Sequence, residues 1–332
     1  MRILMVGDYR TGTGPANVTR SYLEHLPADT MRLKYTGKCM RVPEILSKVL
    51  FADIILCSGY SAQNILTMKW AHILRKPVAY LMHGCVEHEN AINGVPDLKM
   101  NKIERESLKL TDAIIAVSAQ FAAWLWEHYP EYMDKIDFVT NGVSWDELAE
   151  LNADEKREPD QIMSIGGGMP RKMIRYICEA IDRLNRTEQM NLRLTVIGDV
   201  GYDTKEINAY PFVENKGLVS FDETVKLLHQ SGLFIQNSCF ETFGLAPLEA
   251  LACGCDLLLS DKIGARFILK GLEDGDLIHD YSDRDEIADK IMRLMQQGNH
   301  ERLQQSIDKE STSWEARTMQ LVELLQKIKE KY

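Results

Sequence analysis

No apolar run in the 332 residues approaches the ~20 needed to span a bilayer. Met1 runs straight into a candidate strand with no basic-then-apolar leader, so the expectation is a cytoplasmic chain. Excess positive charge is also missing. The formal charge is −10, which argues against nucleic acid as a general partner, because binding a phosphate backbone needs a basic face. The seven cysteines, at 39, 57, 85, 178, 239, 253 and 255, are odd in number and mostly sit in apolar runs; they read as small buried side chains in a reducing compartment. Cys253-Gly-Cys255 has no second Cys or His pair at zinc spacing, so no metal site is assigned. The loop Gly12-Thr-Gly14-Pro-Ala-Asn17 lacks the third Gly or Ala of a dinucleotide fingerprint, and no acid follows at the expected distance, which leaves an NAD oxidoreductase poorly supported.

What the chain does have is 45% apolar residues, enough for two cores of ordinary size. Residues 1–150 carry 16 Lys/Arg against 18 Asp/Glu, so most of the acidic excess falls in the second half. The near-neutral first half is the part compatible with an anionic acceptor or peripheral membrane contact. Apolar runs at 2–7, 54–57, 78–82, 113–117 and 136–139 alternate with helical patterns at 15–26, 43–50, 61–74, 98–110 and 119–129. A second series runs through 162–165, 194–197, 233–235 and 257–259, with helices near 173–184, 222–230, 284–297, 300–309 and 314–331. Strands alternating with helices imply parallel sheets wound by right-handed crossovers, with ligands beyond the carboxyl ends of the strands. The polar stretch 149–160 is the expected boundary, giving domains 1–150 and 151–312 and a terminal helical segment 313–332.

The most informative stretch is Asn237-Ser-Cys-Phe-Glu-Thr-Phe-Gly-Leu-Ala-Pro-Leu-Glu-Ala-Leu-Ala-Cys-Gly-Cys255, between two strand-like runs. Gly244 permits a tight path, Pro247 suits a first helical turn, and Gly254 stops the helix. A helix start at the carboxyl edge of a sheet is a ready anion site. Glu241 and Glu249 flank it. In continuous helix they would lie roughly 12 Å apart, but Glu241 precedes the helix, so both can approach one ligand. Carboxylates beside a phosphate site suit sugar hydroxyls, and the ligand suggested is a nucleotide diphosphate-sugar. Lys172 follows Gly166-Gly-Gly168 and opens a helix, where a cation opposes the dipole and calls for an anion.

Ser238-Cys-Phe-Glu241-Thr-Phe243-Gly244-Leu245-Ala-Pro-Leu-Glu249-Ala-Leu-Ala-Cys-Gly254 resembles the Glu-x7-Glu signature of family 4 glycosyltransferases, retaining enzymes of the GT-B fold. The resemblance implies two Rossmann-like doubly wound parallel-sheet domains facing each other across a cleft, with a C-terminal helix crossing back to the first. It implies that Glu249 binds the nucleotide ribose, that Glu241 contacts the transferred sugar, and that the backbone of Phe243, Gly244 and Leu245, with Ser238, touches phosphate and sugar. Gly12, Thr13 and Gly14 match the family's first glycine-rich loop. His83 at the end of 78–82 matches its cleft histidine, and Lys172 its diphosphate lysine. Gly167 stands where the family has an arginine, and Arg171 is the candidate substitute. Lys216 and Gly217 are candidates for the base pocket, and Asn141-Gly142-Val143 and Trp314 match the family's linker turn and final helix. Catalytic roles are thus expected for Glu241, His83 and Lys172.

The function expected is a retaining, metal-independent transfer of a sugar from a nucleotide diphosphate-sugar, UDP favoured, to a sugar or lipid-linked acceptor in bacterial polysaccharide or glycolipid assembly. No cofactor is expected. The localisation expected is cytoplasmic, with peripheral contact at the inner face of the membrane open. A nucleotide-sugar epimerase on a related fold and a catalytically silent sugar-nucleotide binder are the alternatives. Glu87-His-Glu89 reads as a solvated loop, and Lys99, Lys102, Arg105 and Lys109 as a solvated helix face.

Overall fold

The computed structural model describes residues 1–332, apart from the side chain of Lys38. Its chain divides into two compact units: residues 1–90, 96–142 and 310–332 form the first, and residues 91–95 and 143–309 the second.

The first unit holds β1 (Ile3–Val6), β2 (Met31–Arg32), β3 (Ile54–Ser58), β4 (Val78–Met82), β5 (Ala113–Ala116) and β6 (Ile136–Phe138) in one sheet. The order is β2-β1-β3-β4-β5-β6 and every pairing is parallel. β1, β3, β4 and β5 are buried along their whole length, which is why they read as unbroken apolar runs rather than alternating ones. The winding direction changes between β1 and β3, so the loops that follow these strands flank a natural ligand position.

The second unit holds β7 (Glu158–Ile165), β8 (Arg193–Ile197), β9 (Val213–Gly217), β10 (Ser231–Gln236), β11 (Asp256–Ser260) and β12 (Leu277–Ile278). Their order, β12-β11-β10-β7-β8-β9, is the 3-2-1-4-5-6 arrangement of a dinucleotide-binding sheet, again all parallel. The reversal falls between β7 and β10. The helix Ile174–Thr187 packs on this sheet through Ile177, Ile181 and Leu184, all buried, and the helix Arg284–Gln297 adds Ile287 and Ile291 to the same core. The two sheets with flanking helices are the two-domain α/β architecture expected from the sequence.

Several local expectations change. The chain divides at Gly142/Val143 and not within 149–160, because residues 145–150 are a helix that buries Trp145 and Leu148 in the second unit. There His229 Nε2 lies 3.0 Å from the Leu148 carbonyl. Glu158–Asp160 belong to β7. Glu87-His-Glu89, expected as a solvated loop, lie in the helix Val86–Ile92, whose first amides are taken by Glu104. The two-residue edge strands β2 and β12 carry too little apolar pattern to be seen in a sequence.

The helix Trp314–Lys331 belongs to the first unit, where it packs on the helix Gly14–His25. Trp314 is buried edge-on against Tyr22, with ring centroids 5.2 Å apart. The turn at Gly142 passes so close that an added Cβ would lie 2.4 Å from the Trp314 Cα. Gly142→Ala therefore displaces the helix start, and Trp314→Ala empties an aromatic-sized hole. Each is expected to lower stability, the latter by about 3–5 kcal/mol, read as a shift in the urea midpoint. An unchanged midpoint in both would show that this helix contributes nothing to the first unit.

Candidate active site

In the second unit, the loops that leave β7 and β10 meet at the point where the sheet reverses. Glu241, five residues beyond β10, turns its carboxylate towards the β7 loop, where Lys172 Nζ donates a short charge-assisted hydrogen bond to Oε2. Arg171 NH1 reaches the same oxygen at 3.4 Å and the Phe240 carbonyl at 3.3 Å. Gln236 Nε2, at the end of β10, donates to it at 3.1 Å. All three ion-pair partners are recessed, with side chains 12–14% exposed. Burial alone would push the Glu241 carboxyl up, but Lys172 and then Arg171 outweigh it, so the group sits below the ordinary glutamate value and is ionised at neutral pH. Gln236 was not singled out in the sequence; a polar residue closing an otherwise apolar strand is the signal that marks it.

The backbone explains how the lysine gets there. Met173 adopts a left-handed conformation with φ 52°, unusual for a methionine, and turns the chain between a 3₁₀ turn, Pro170–Lys172, and the helix Ile174–Thr187. The alkyl chain of Lys172 then runs across Gly166, where a Cβ would lie 2.3 Å from the lysine Cγ. Gly167 has a different reason. A Cβ there would sit 2.0 Å from the Asp199 carbonyl oxygen, so no side chain fits at this position; the arginine that does lie beside Glu241 is Arg171. The amides of Gly166 and Gly167 both donate to the Ile197 carbonyl (2.8 and 2.9 Å), and that of Gly168 to Asp199 (3.0 Å). The glycine loop is packed on its own sheet and offers no amides to a phosphate.

The β10 loop differs. No hydrogen bond occupies the amides of Gly244 or Leu245 among the described residues, and the loop is braced from behind by Gly264 N–H to the Glu241 carbonyl (3.2 Å) and Ala265 N–H to that of Phe243 (2.7 Å). The side chains of Ser238 and Phe243 are buried and face away from solvent. The helix that follows, Ala246–Ala252, has only seven residues, so the positive field here comes from Lys172 and Arg171 much more than from a dipole. Glu249 lies in its first turn. No hydrogen bond or ion pair reaches its carboxyl group among the described residues, and desolvation pushes it up to about 7. Lys216 and Gly217 close β9 at the sheet edge, with Lys216 Nζ 2.7 Å from Glu214 and an open space beside Gly217.

In the first unit, His83 follows β4, and its Nε2 lies 2.7 Å from Ser58 Oγ, which is 2.7 Å from Thr19 Oγ1. Desolvation pulls the imidazole down to about 4, so it is neutral at pH 7 and works as a hydrogen-bonding group and not a cation. Glu104, fully buried, accepts from the amides of Val86 (2.8 Å) and Glu87 (3.1 Å) and so fixes the helix start beyond His83. Gly12, Thr13 and Gly14 form an exposed turn into the helix Gly14–His25, with Asn17 N–H bonded to the Thr13 carbonyl at 2.9 Å.

With this geometry in place, comparison with known proteins is direct. Residues 147–314 match the family described as Glycosyl transferases group 1, and residues 8–147 match Glycosyltransferase Family 4. The chain belongs to this glycosyltransferase family. It is 25% identical over 243 residues, 68% of its length, to a probable sucrose-phosphate synthase of Thermosipho melanesiensis, and 24% identical over 183 residues, 52% of its length, to a glycogen synthase of Mycobacterium tuberculosis. It spans about half the length of these curated relatives (56% and 43%). Among solved structures, HepE of Anabaena in complex with UDP and glucose superposes with TM-score 0.71 at 15% identity over 98% of this chain and 100% of that one. Sucrose-phosphate synthase from Thermosynechococcus elongatus gives 0.66 at 17% identity over the whole of both chains. At such identities these structures share the fold.

Glu249 supplies a test of the local electrostatics. A carboxyl raised in the folded state favours folding below its unfolded pKa and loses that contribution as pH rises through about 7. Glu249→Gln removes the loss, so its melting temperature should exceed that of the wild type by an amount that grows between pH 5 and pH 8. A constant difference across that range would contradict the desolvated carboxyl.

Proposed function

We propose that the chain is a retaining, metal-independent glycosyltransferase that takes a sugar from a nucleotide diphosphate-sugar, UDP favoured, in the assembly of a bacterial polysaccharide or glycolipid. The observation that carries this reading is the grouping of Lys172, Arg171 and Glu241 at the switch point of the second sheet. A diphosphate leaving group gains negative charge as the bond from its oxygen to the anomeric carbon breaks. Two cations held in a recessed site stabilise that charge during cleavage. The bonding electrons leave with the nucleoside diphosphate. The acceptor oxygen forms the new bond on the same face, and its proton passes to the departing phosphate oxygen. In this reading the protein's own cations supply that stabilisation.

The ion pair assigns Glu241 a specific part. In the unliganded site its carboxylate holds the cations that the diphosphate needs, so donor binding draws Lys172 and Arg171 away and frees Glu241 for the sugar ring. Glu249, close to neutral and with nothing bonded to it, is placed to take the ribose hydroxyls. The acceptor belongs with the first unit, where the neutral His83 after β4 reaches Ser58 at the end of β3, beside the switch point. The alternatives, an epimerase or a silent binder, lack a feature of their own in either unit.

Calorimetry with UDP and a transfer assay over a panel of UDP-sugars test the proposal together. Glu241→Ala should abolish transfer and leave UDP affinity equal or higher, because the cations are released. Lys172→Ala should weaken UDP binding by about 1.5–3 kcal/mol, the range for a hydrogen bond to a charged group, roughly 10- to 100-fold. Gly166→Ala should do so to a lesser degree by pushing the lysine aside. An unaltered dissociation constant in Lys172→Ala places the diphosphate elsewhere, and wild-type turnover in Glu241→Ala removes its role. Activity lost with a chelator and restored by a divalent cation would overturn metal independence, and an inverted anomeric signal in the product would overturn retention.

A further inference from the structure

Residues 1–50 carry eight Lys/Arg against four Asp/Glu, in a chain whose total charge is −10. Folding gathers much of this local excess at the carboxyl ends of β1 and β2, around Tyr9. The Arg10 guanidinium lies 4.9 Å and that of Arg32 5.5 Å from the Tyr9 ring centroid. Arg10 NH2 donates to the Tyr9 hydroxyl (2.8 Å) and to the Lys34 carbonyl (2.6 Å), and Tyr9 donates to the Leu33 carbonyl (3.0 Å), so ring and strand exit are tied together. Arg41 closes the group from the helix Lys38–Phe51, with NH1 bonded to the Tyr35 carbonyl at 3.3 Å.

Two features show that this charge is unbalanced. The helix Lys38–Phe51 has no acidic residue in its first turn and no side-chain cap, and its N-terminal turn instead contains Arg41, a cation at the positive end of the dipole. Arg41 Nε is also shielded from solvent and has no hydrogen-bond partner among the described residues. Burial draws the Arg41 guanidinium below its ordinary value against the attraction of Glu44, and repulsion from Arg10 adds a smaller push in the same direction as burial. Glu44 is largely engaged already, by Lys48 (2.6 Å) and the amides of Lys34 and Tyr35, and Asp8 by Thr11 and the Arg10 amide. Cations kept together at this cost are stabilised by an anion.

We propose that Arg10, Arg32 and Arg41 form a binding site for a phosphate group carried by the acceptor. Arginine forks suit a tetrahedral oxyanion because each presents paired N–H donors, and stacking on Tyr9 pre-orients two of them. The site lies on the same sheet edge as His83, with β1 and β4 two strand spacings apart, about 10 Å. A phosphate anchored at the arginines thus leaves the rest of its molecule to run across that edge towards the histidine. Calling the ligand an acceptor rests on the transferase reading, whereas the phosphate site itself does not.

The test titrates the full chain with glucose 6-phosphate, glucose and inorganic phosphate, and sediments it with phosphatidylcholine vesicles with and without phosphatidic acid. A phosphate-bearing probe should bind at least tenfold tighter than its phosphate-free counterpart, weaken with salt, and lose at least tenfold in Arg10→Ala/Arg41→Ala. Should that variant misfold, the exposed Arg32→Gln reads the same site. Binding of glucose 6-phosphate identifies a soluble phosphorylated acceptor; binding of phosphatidic acid vesicles alone, with the same arginine dependence, identifies a lipid phosphate. No preference for phosphate in either arm, or full binding by the arginine variants, overturns the proposal. UDP titration reads the second unit independently, so failure here is distinct from failure of the transferase assignment.

Discussion

A buried carboxylate held by two cations is the interaction on which the second unit's site depends. Glu241 ionises in a recessed position only because Lys172 and Arg171 are there, and each partner is delivered by its own distortion: a left-handed methionine, a glycine crossed by the lysine chain, and a loop braced from behind by residues 264 and 265. Removing one partner from such a group leaves the others desolvated without compensation. The three side chains are therefore stable only as a set, and in the function proposed above an anionic ligand exchanges one counter-charge for another.

The two units manage polarity differently. The second concentrates ionised groups at its switch point, whereas the first links a neutral imidazole, after β4, to its switch point through the hydroxyls of Ser58 and Thr19. Its arginines gather after β1 and on the edge strand β2. A neutral histidine next to alcohol side chains suits hydroxyl groups, and recessed cations suit phosphates, so the division of chemistry follows the division of the chain.

Much of this was legible in the sequence because fully buried parallel strands leave continuous apolar runs. Val78–Met82, Leu98–Leu110, Arg284–Gln297 and Trp314–Lys331 were read to the residue. The grouping of Glu241 with Lys172 was readable only through resemblance, since 69 residues separate them and no spacing rule connects them. Gly167 could not be interpreted from sequence: its departure from the family pattern comes from the Asp199 carbonyl, which occupies the place of any side chain. The helix at 86–92 was missed because its cap, Glu104, comes from a later helix. The arginine group around Tyr9 was invisible because β2, which brings Arg32 and Lys34 beside β1, is two residues long.

The position of the helix Trp314–Lys331 has a consequence for biogenesis. Residues 143–309 leave the ribosome with nearly all of their own unit in hand, and that unit can fold while synthesis continues. The first unit, begun earlier, waits for the helix Trp314–Lys331, made after the second unit, to cover Tyr22 and the turn at Gly142. The half that is translated first is thus completed last, and a nascent chain stalled before Trp314 would expose an unfinished surface to chaperones and proteases.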